Sequence, residues 1–345
     1  MTDRPSPTTD TDPADRLRDQ LLARVGQPLG RGGDVRAPDP VNVPMIRHWC
    51  DALEDHLPVY LDEAAAAASR HGRLVAPPAM LQTWSFPRPV VTGIRERGGA
   101  PGEMDPDTPV ALLAAHGFPG TLATNSELEF DRYLHPGDHV TSRAVLESIS
   151  PLKGTGLGVG YFVTWVTTYV TDDGDEVGRQ RFRIFKFDPT RTAADLPPAP
   201  KTAAGSAPTA EPHEKHPGGP LPDFDLDVTP TVVVAGAIAS RDFMPVHHDR
   251  DYAQAQGAPD IFMNILTTNG YVARYVTDWA GPDARLTRIA IRLGAPSVPG
   301  KVLRFTGSVT DQRDDPDGRW VEVTLRATND FGDHASGTVE LTLPD

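Results

Sequence analysis

Two consecutive stretches decide the fold: DIFMNILTTNGYVARYVTDWAG at residues 260–281 and IAIRLGAPSVPGKVLRFTGSV at residues 289–309. In the first stretch, apolar residues recur at the three- and four-residue spacing of one helix face. In the second stretch, two strand-like runs flank the Pro299-Gly300 turn. One long apolar helix followed by antiparallel strands predicts an α+β domain in which the sheet curls round the helix.

The same arrangement occurs earlier in the chain, so the fold is predicted twice. LEFDRYLHPGDHVTSRAVLES at residues 128–148 is a second strand–Pro-Gly–strand element. Each copy follows a helix-like stretch that carries an acidic residue, then a proline, then a ring side chain at the same spacing. These residues are Asp55, Pro58 and Tyr60 in the first copy, and Asp242, Pro245 and His247 in the second. The sequence therefore predicts two α+β domains in tandem.

Shifts in composition set the predicted domain boundaries. Residues 1–38 are polar and proline-rich, which predicts a disordered leader with at most a short helix at 15–25. Residues 189–222 hold almost no large apolar side chain and are predicted to be a Pro/Ala-rich linker. The two domains are therefore predicted at 39–188 and 223–345. In the first of them, APPAMLQTWSF is a shorter helix candidate because two prolines interrupt its start.

Composition and charge exclude several classes of protein. The chain of 345 residues is 39% hydrophobic and 23% charged, which is typical of a globular protein. Its net charge of −14 disfavours a nucleic-acid partner, because phosphate binding needs a cationic face. The single cysteine, Cys50, leaves no intrachain disulfide. The absence of an apolar signal core or a run of about 20 apolar residues predicts a cytoplasmic protein with no membrane partner.

The residues around Asp242 resemble the signature of the MaoC-like, or hydratase-2, enoyl-CoA hydratases. That signature reads Asp-x-Asn-Pro-aliphatic-His; Asp242, Pro245 and His247 match it, and Met244 occupies the asparagine position. The first half is similar to the amino-terminal dehydratase-like domain of the same superfamily, with Tyr60 where a catalytic histidine would stand. The resemblance implies a tandem hot-dog fold with a silent first domain and a catalytic second domain.

A closer resemblance is to the two-subunit hydratases of actinobacterial steroid side-chain degradation. RDFMPVHHDRDYA at 241–253 looks like the small, catalytic subunit, and the first half is similar to the MaoC-like part of the large subunit. The chain is therefore interpreted as a fusion of the two. The resemblance implies an acyl-CoA thioester substrate with a bulky, steroidal acyl group, and no metal or other cofactor. Exposed sheet edges favour a homodimer, and an aldolase- or thiolase-like protein is a candidate partner.

The resemblance also implies a role for each candidate site residue. Asp242 and His247 would hold the water that adds to the double bond. Backbone N–H groups at Asn264 and Ile265 would hold the thioester oxygen. The candidate substrate contacts are Tyr60, Asp55, Tyr271 and Arg292, with Arg288 and Lys301 as further cations for coenzyme A phosphates. The sequence leaves simpler interpretations open, since Asp55 and Tyr60 fit relics of a duplication and Asn264 fits a helix cap equally well.

Other functions remain open from the sequence. One keeps the chemistry and changes the substrate to a linear or bile-acid-derived enoyl-CoA, hydrated (R)-specifically. Another is a non-catalytic acyl-CoA-binding scaffold for a thiolase or aldolase, and a third is a thioesterase on the same fold. A metal site is disfavoured, because the adjacent residues His248 and Asp249 point apart on a helix or a strand.

Overall fold

The computed structural model describes residues 13–30, 33–103, 105–192, 194 and 219–344. The helices are α1 (Pro13–Leu22), α2 (Val43–Leu53), α3 (Pro58–Leu61), α4 (Glu63–Ala68), α5 (Leu81–Trp84), α6 (Pro109–Ala115), α7 (Pro230–Ala239), α8 (Arg250–Ala255) and α9 (Ile265–Ala280). Short 3-10 turns lie at Pro78–Met80 and Pro245–His247. The strands are β1 (Asp34–Arg36), β2 (Gly120–Phe130), β3 (Val140–Ile149), β4 (Lys153–Thr155), β5 (Gly158–Thr171), β6 (Glu176–Asp188), β7 (Phe224–Val228), β8 (Arg285–Leu293), β9 (Lys301–Asp315), β10 (Gly318–Asn329) and β11 (Gly332–Leu343).

The strands form one antiparallel sheet in the order β1-β3-β5-β6-β2-β8-β11-β10-β9-β7, with β4 paired to β5 at one side. The two halves of the chain meet at a seam where β2 pairs with β8. The seam runs from Asn125 opposite Arg292 to Glu129 opposite Arg288. Each half curls its strands round its own helical segment, so the predicted α+β tandem hot-dog fold is confirmed.

Helix α9 is the central helix of the second half. Its N-terminus is capped by Asn264, whose Oδ1 accepts the Thr267 N–H at 2.7 Å. The helix begins four residues later than the apolar pattern suggests, because Asn264 is extended, with φ −80° and ψ 164°. It packs against the first half as well as against its own strands. At Gly270 an added Cβ would overlap the side chains of Leu53 and Trp49 of α2, so glycine allows the two helices to pack closely here.

The corresponding position in the first half holds a much shorter helix. A 3-10 turn at Pro78–Met80 leads into α5, which is only four residues long. The prolines at 77 and 78 lie at the start of the segment, where a missing backbone donor is tolerated. Pro87 and Pro89 follow the last helical residue closely and prevent the helix from continuing, and this accounts for its short length. The expectation of a reduced central helix in the first half is therefore confirmed.

The amino-terminal segment differs from the predicted disordered leader. Residues 1–12 and 31–32 lie outside the described residues. The rest is structured, because Leu17 and Leu21 are four residues apart and give α1 an apolar face that is buried in the core. Strand β1 pairs with β3, with Asp34 opposite Arg143. The prediction of disorder up to residue 38 is thus wrong for the described part.

Most of the predicted linker at 189–222 lies outside the described residues, and its character stays a prediction. At its carboxyl end Leu221 is buried, and its N–H donates to the Gly307 carbonyl at 2.9 Å. None of the described helices has the length and apolar character that crossing a bilayer would need.

Candidate active site

Asp242 and His247 lie on the loop that joins α7 to α8. Their side chains converge, with His247 Nε2 3.3 Å from Asp242 Oδ2. Two local features of the backbone bring them together. Arg241 has a φ of 60°, a left-handed conformation that non-glycine residues rarely adopt, and the 3-10 turn at Pro245–His247 follows. The five-residue spacing therefore places a carboxylate and an imidazole side by side.

The hydrogen bonds of His247 define its tautomer. Its Nδ1 lies 2.6 Å from the Phe262 carbonyl oxygen. Because a carbonyl can only accept, Nδ1 carries the hydrogen, and Nε2 of the neutral ring directs its lone pair towards Asp242. A neutral His247 and an ionised Asp242 thus present two acceptors to one point. Such a pair can accept both hydrogens of one water molecule and leave an oxygen lone pair free to attack.

Asp242 is held by two further donors. Its Oδ1 accepts the Met244 N–H at 3.2 Å, and its Oδ2 accepts from Asn264 Nδ2 at 3.1 Å. Asn264 Nδ2 also donates to Ser240 Oγ at 2.8 Å. The Asn264 side chain therefore caps α9 through its oxygen and orients the carboxylate through its nitrogen. The helix-cap interpretation of this residue is therefore confirmed, and its role in holding a thioester oxygen stays a prediction.

Opposing effects set the protonation of the pair. Burial raises the pKa of Asp242. The charge of His247 and the hydrogen bonds that the Asp242 carboxylate accepts outweigh burial and bring this pKa below the ordinary 3.8. Burial lowers the pKa of His247, but the charge and hydrogen bond of Asp242 outweigh burial and bring this pKa above the ordinary 6.5. The side chain of His247 is 6% exposed and that of Asp242 is 23% exposed, so solvent reaches the pair from the carboxylate side.

The start of α9 offers amide donors close to the pair. Among the described residues, the N–H groups of Asn264 and Ile265 have no acceptor. Amides in the first turn of a helix lack intrahelical partners and lie at the positive end of the helix dipole. Their role as donors to a thioester oxygen stays a prediction, supported by the direct bond from Asn264 to Asp242.

His334 is a buried contributor that the sequence did not single out. Its Nδ1 lies 2.8 Å from the Ala295 carbonyl, and its Nε2 lies 2.9 Å from Thr268 Oγ1 in the first turn of α9. Burial lowers the pKa of His334 to about 4, so its ring is neutral at physiological pH. It thereby ties strand β11 to the helix start. A lone histidine at the beginning of a strand carries no sequence signal for this role.

A loop of the first half, residues 86–103, packs over the loop of the second half that carries Asp242 and His247. Arg95 Nη1 lies 3.3 Å from Asp249 Oδ2, and Arg241 Nη2 donates to the Pro87 carbonyl at 3.2 Å. Gly99 packs directly on Met244, since an added Cβ at Gly99 would lie 2.7 Å from Met244 Cγ. Met244, the residue that departs from the MaoC-like signature, thus contacts the other half of the chain while its N–H holds Asp242.

This contact predicts an unequal effect of two neighbouring alanine substitutions. Gly98 and Gly99 have φ values of 65° and 88°, so alanine is strained at both positions. Only at Gly99 does the added methyl group also meet Met244. For the enoyl-CoA hydration that the resemblance implies, we expect Gly99→Ala to lower kcat several-fold more than Gly98→Ala does, measured in steady-state assays on variants of matched thermal stability. Equal losses in the two variants would show that the Met244 contact does not position Asp242.

Two of the predicted substrate contacts, Asp55 and Tyr60, are not brought to the Asp242–His247 pair. They are buried in the first half, and Arg274 of α9 donates to the carbonyl of the adjacent Leu53 at 2.6 Å. Arg274 follows Asn264 by ten residues, which is about 15 Å along the helix. Burial raises the pKa of Asp55 to about 6, and its Oδ1 accepts the Leu57 N–H. Among the described contacts no hydrogen bond joins Asp55 to Tyr60, so they do not form a second copy of the pair.

Tyr271 and Arg292 also lie apart from the pair. Tyr271 is buried on α9 with its ring centroid 6.4 Å from that of Phe305, and burial raises its pKa to about 12. Arg292 lines a groove of about 480 Å³ on the outer face of the sheet. The other two proposed cations are already paired: Arg288 with Glu127 and Glu340, and Lys301 with Asp330. The contacts of all four with a substrate stay predictions.

Comparison with protein families agrees with this duplicated architecture. Residues 33–180 match the FAS1-like dehydratase domain region, and residues 213–330 match the MaoC-like domain. The chain also resembles a solved MaoC-like dehydratase with a TM-score of 0.67 and 21% identity. That match covers 94% of this chain and 99% of the solved chain. At 21% identity it supports a shared fold and nothing further.

Two curated relatives are more similar in sequence. The chain is 48% identical over 128 residues to the beta subunit of the 3-oxo-4,17-pregnadiene-20-carboxyl-CoA hydratase of Mycobacterium tuberculosis, covering 37% of this chain and 96% of the subunit. It is 43% identical over 181 residues to a probable enoyl-CoA hydratase alpha subunit of Thermomonospora curvata. The second match covers 50% of this chain and 52% of that subunit, so the chain spans about half the length of this relative.

Proposed function

The chain belongs to the MaoC-like family, and from this premise we propose that it adds water to the double bond of a bulky 2-enoyl-CoA thioester. The observation that carries the proposal is the 3.3 Å approach of His247 Nε2 to Asp242 Oδ2. Two hydrogen-bond acceptors that face one point, next to unpaired amides at a helix start, are the groups that hydration of an enoyl thioester needs.

The proposed reaction assigns one role to each group. His247 and Asp242 each accept a hydrogen bond from the water. One water proton passes to this pair as the water oxygen attacks C3 and the π bond between C2 and C3 breaks, and the other proton stays on the new hydroxyl group. The electron pair moves to the thioester carbonyl, whose oxygen is stabilised by the Asn264 and Ile265 N–H groups. The proton taken up by the pair then reaches C2 on the same face as the new hydroxyl group. The product is a 3-hydroxyacyl-CoA, and no redox partner is consumed.

A steroidal acyl group is the proposed substrate class. The short helix α5 stands where α9 stands in the other half, so the first half fills less of its interior with helix. The beta-subunit relative is named for a pregnadiene-carboxyl-CoA substrate and is 48% identical over the matched residues. Hydration of such a substrate would give a tertiary 17-hydroxy product. The expected homodimer, the aldolase- or thiolase-like partner and the cytoplasmic location remain predictions.

A substrate comparison tests this function. Steady-state kcat/KM is measured for crotonyl-CoA, decenoyl-CoA and a steroid enoyl-CoA, with thiol release followed in parallel. We expect the steroid thioester to give the highest kcat/KM, with no thiol released and no effect of EDTA. A preference for crotonyl-CoA would contradict the bulky substrate, thiol release would indicate a thioesterase, and tight binding without hydration would indicate a scaffold.

The pKa directions predict how activity depends on pH. His247 must be neutral to accept a hydrogen from water, and its pKa in the folded protein is raised above 6.5. Protonation as the pH falls through this raised value blocks Nε2, whereas Asp242 stays ionised because its pKa lies below 3.8. We therefore expect kcat/KM to fall on the acid side with an apparent pKa above 6.5, measured between about pH 5 and pH 9. A profile that is flat down to pH 5 would rule out His247 as the acceptor.

A further inference from the structure

The groove on the outer face of the sheet lies across the seam between the two halves. On β6, Gln180, Phe182 and Ile184 are buried towards the helices, and the alternate residues Arg181 and Arg183 face the other side. These two arginines and Arg292 of β8 line the groove, whose volume is about 480 Å³. A volume of this size suits a small-molecule ligand. The groove is separated by the sheet from α9 and from the Asp242–His247 pair.

The positive charges in this groove are only partly balanced. Arg181 pairs with Glu147 at 2.7 Å, and Glu127 pairs with Arg288. Among the described contacts, neither Arg183 nor Arg292 has a carboxylate partner. Both guanidinium groups thus add positive charge to this groove in a chain whose net charge is −14.

Arg183 is the most informative of these residues. Its guanidinium carbon lies 4.2 Å from the centroid of the Phe162 ring, and its Nε is buried with no hydrogen-bond partner among the described residues. Burial lowers the pKa of Arg183, and the positive charges of Arg181 and Arg292 lower it further. An anion in the groove would offset both the burial and the repulsion between these arginines, and it would offer an acceptor beside a half-buried guanidinium whose buried Nε has none.

We propose that this groove binds the phosphate or diphosphate group of a small-molecule ligand. Guanidinium groups bind phosphate through paired N–H donors, and arginine is the preferred residue for such two-point contacts. The hydroxyl groups of Ser148, Thr164 and Ser336 line the same groove and can donate to further phosphate oxygens. The phosphate could belong to a free nucleotide or to the coenzyme A part of a thioester, and both present the same chemistry to the arginines.

Calorimetric titration with inorganic pyrophosphate tests the site without requiring catalysis. The full chain is compared with the double variant Arg183→Gln/Arg292→Gln and with Arg179→Gln as a matched control. Arg179 is an exposed arginine on the same strand and the same face, and it pairs with Glu176. We expect saturable binding to the wild type and to Arg179→Gln, and binding at least about ten-fold weaker in the double variant. No saturable binding to the wild type, or equal binding to all three proteins, would overturn the proposal.

A kinetic comparison then identifies the source of the phosphate. The KM of the double variant is measured for an enoyl-CoA and for the matching enoyl-pantetheine, which lacks the nucleotide. A KM raised for the CoA thioester alone assigns the groove to the substrate. An unchanged KM together with lost pyrophosphate binding assigns it to a separate phosphate ligand. Pyrophosphate binding does not depend on turnover. The titration can therefore be interpreted even if the chain proves not to be a hydratase.

Discussion

Replacing Asp242 with asparagine is expected to lower kcat for hydration by about 10²- to 10⁴-fold. The amide has the size of the carboxylate but lacks its charge, so it holds the attacking water less strongly. In either orientation its nitrogen would face a hydrogen-bond donor, either the Met244 N–H or Asn264 Nδ2, which now lie 3.2 Å and 3.1 Å from the two carboxylate oxygens. Loss of the negative charge removes the main interaction that raises the pKa of His247, so that pKa should fall in the same variant.

Steady-state kinetics, together with a thermal melt of each protein, measure this effect. Asp251→Asn is the matched control, because Asp251 is an exposed carboxylate in the first turn of α8 and carries the same charge. We expect the control to keep near wild-type kcat, and Asp242→Asn to keep its fold and its binding of the thioester. Near wild-type turnover in Asp242→Asn would remove this carboxylate from the mechanism.

Replacing His247 with glutamine is expected to give a loss of similar size, again about 10²- to 10⁴-fold in kcat. Glutamine can still donate a hydrogen bond towards the Phe262 carbonyl, which now lies 2.6 Å from Nδ1. It cannot take up a proton near neutral pH, so the proton of the attacking water has only Asp242 as acceptor. Any residual activity should therefore lose the acid limb that the raised pKa of His247 produces.

The neighbouring histidine supplies the control for this substitution. His248 is exposed, and its Nε2 lies 3.2 Å from the Phe243 carbonyl rather than beside Asp242. His248→Gln should therefore retain both turnover and the acid limb of the wild type. If the two glutamine variants lose activity equally, the defect comes from the loop as a whole and the imidazole of His247 has no specific part in it.

Much of the fold follows from local patterns in the chain. The duplicated strand–Pro-Gly–strand element predicts two copies of one α+β unit, and the prolines on either side of α5 indicate a short helix, since both depend on residues close together in sequence. The proximity of Asp242 and His247 follows for the same reason, because one tight loop holds both.

Contacts between distant segments are what the sequence does not reveal. Nothing in residues 86–103 indicates that Gly99 packs on Met244, because that contact needs the two halves to be placed against each other. The same holds for His334, which reaches Thr268 across 66 positions, and for the seam that brings Arg292 beside Arg183. The sequence allows a short helix at 15–25 but does not reveal that it packs on the core, because only two leucines, Leu17 and Leu21, anchor it.

Mass spectrometry of the product formed in oxygen-18 water tests the central claim most directly. The purified full chain is incubated with a steroid enoyl-CoA, beside the Asp242→Asn and His247→Gln variants. The proposed mechanism predicts that the wild type forms a hydroxyacyl-CoA carrying one heavy oxygen and that neither variant does so at a comparable rate. A wild-type chain that binds the thioester yet never incorporates the label, or a variant that incorporates it at the wild-type rate, would contradict the assignment of water addition to this pair.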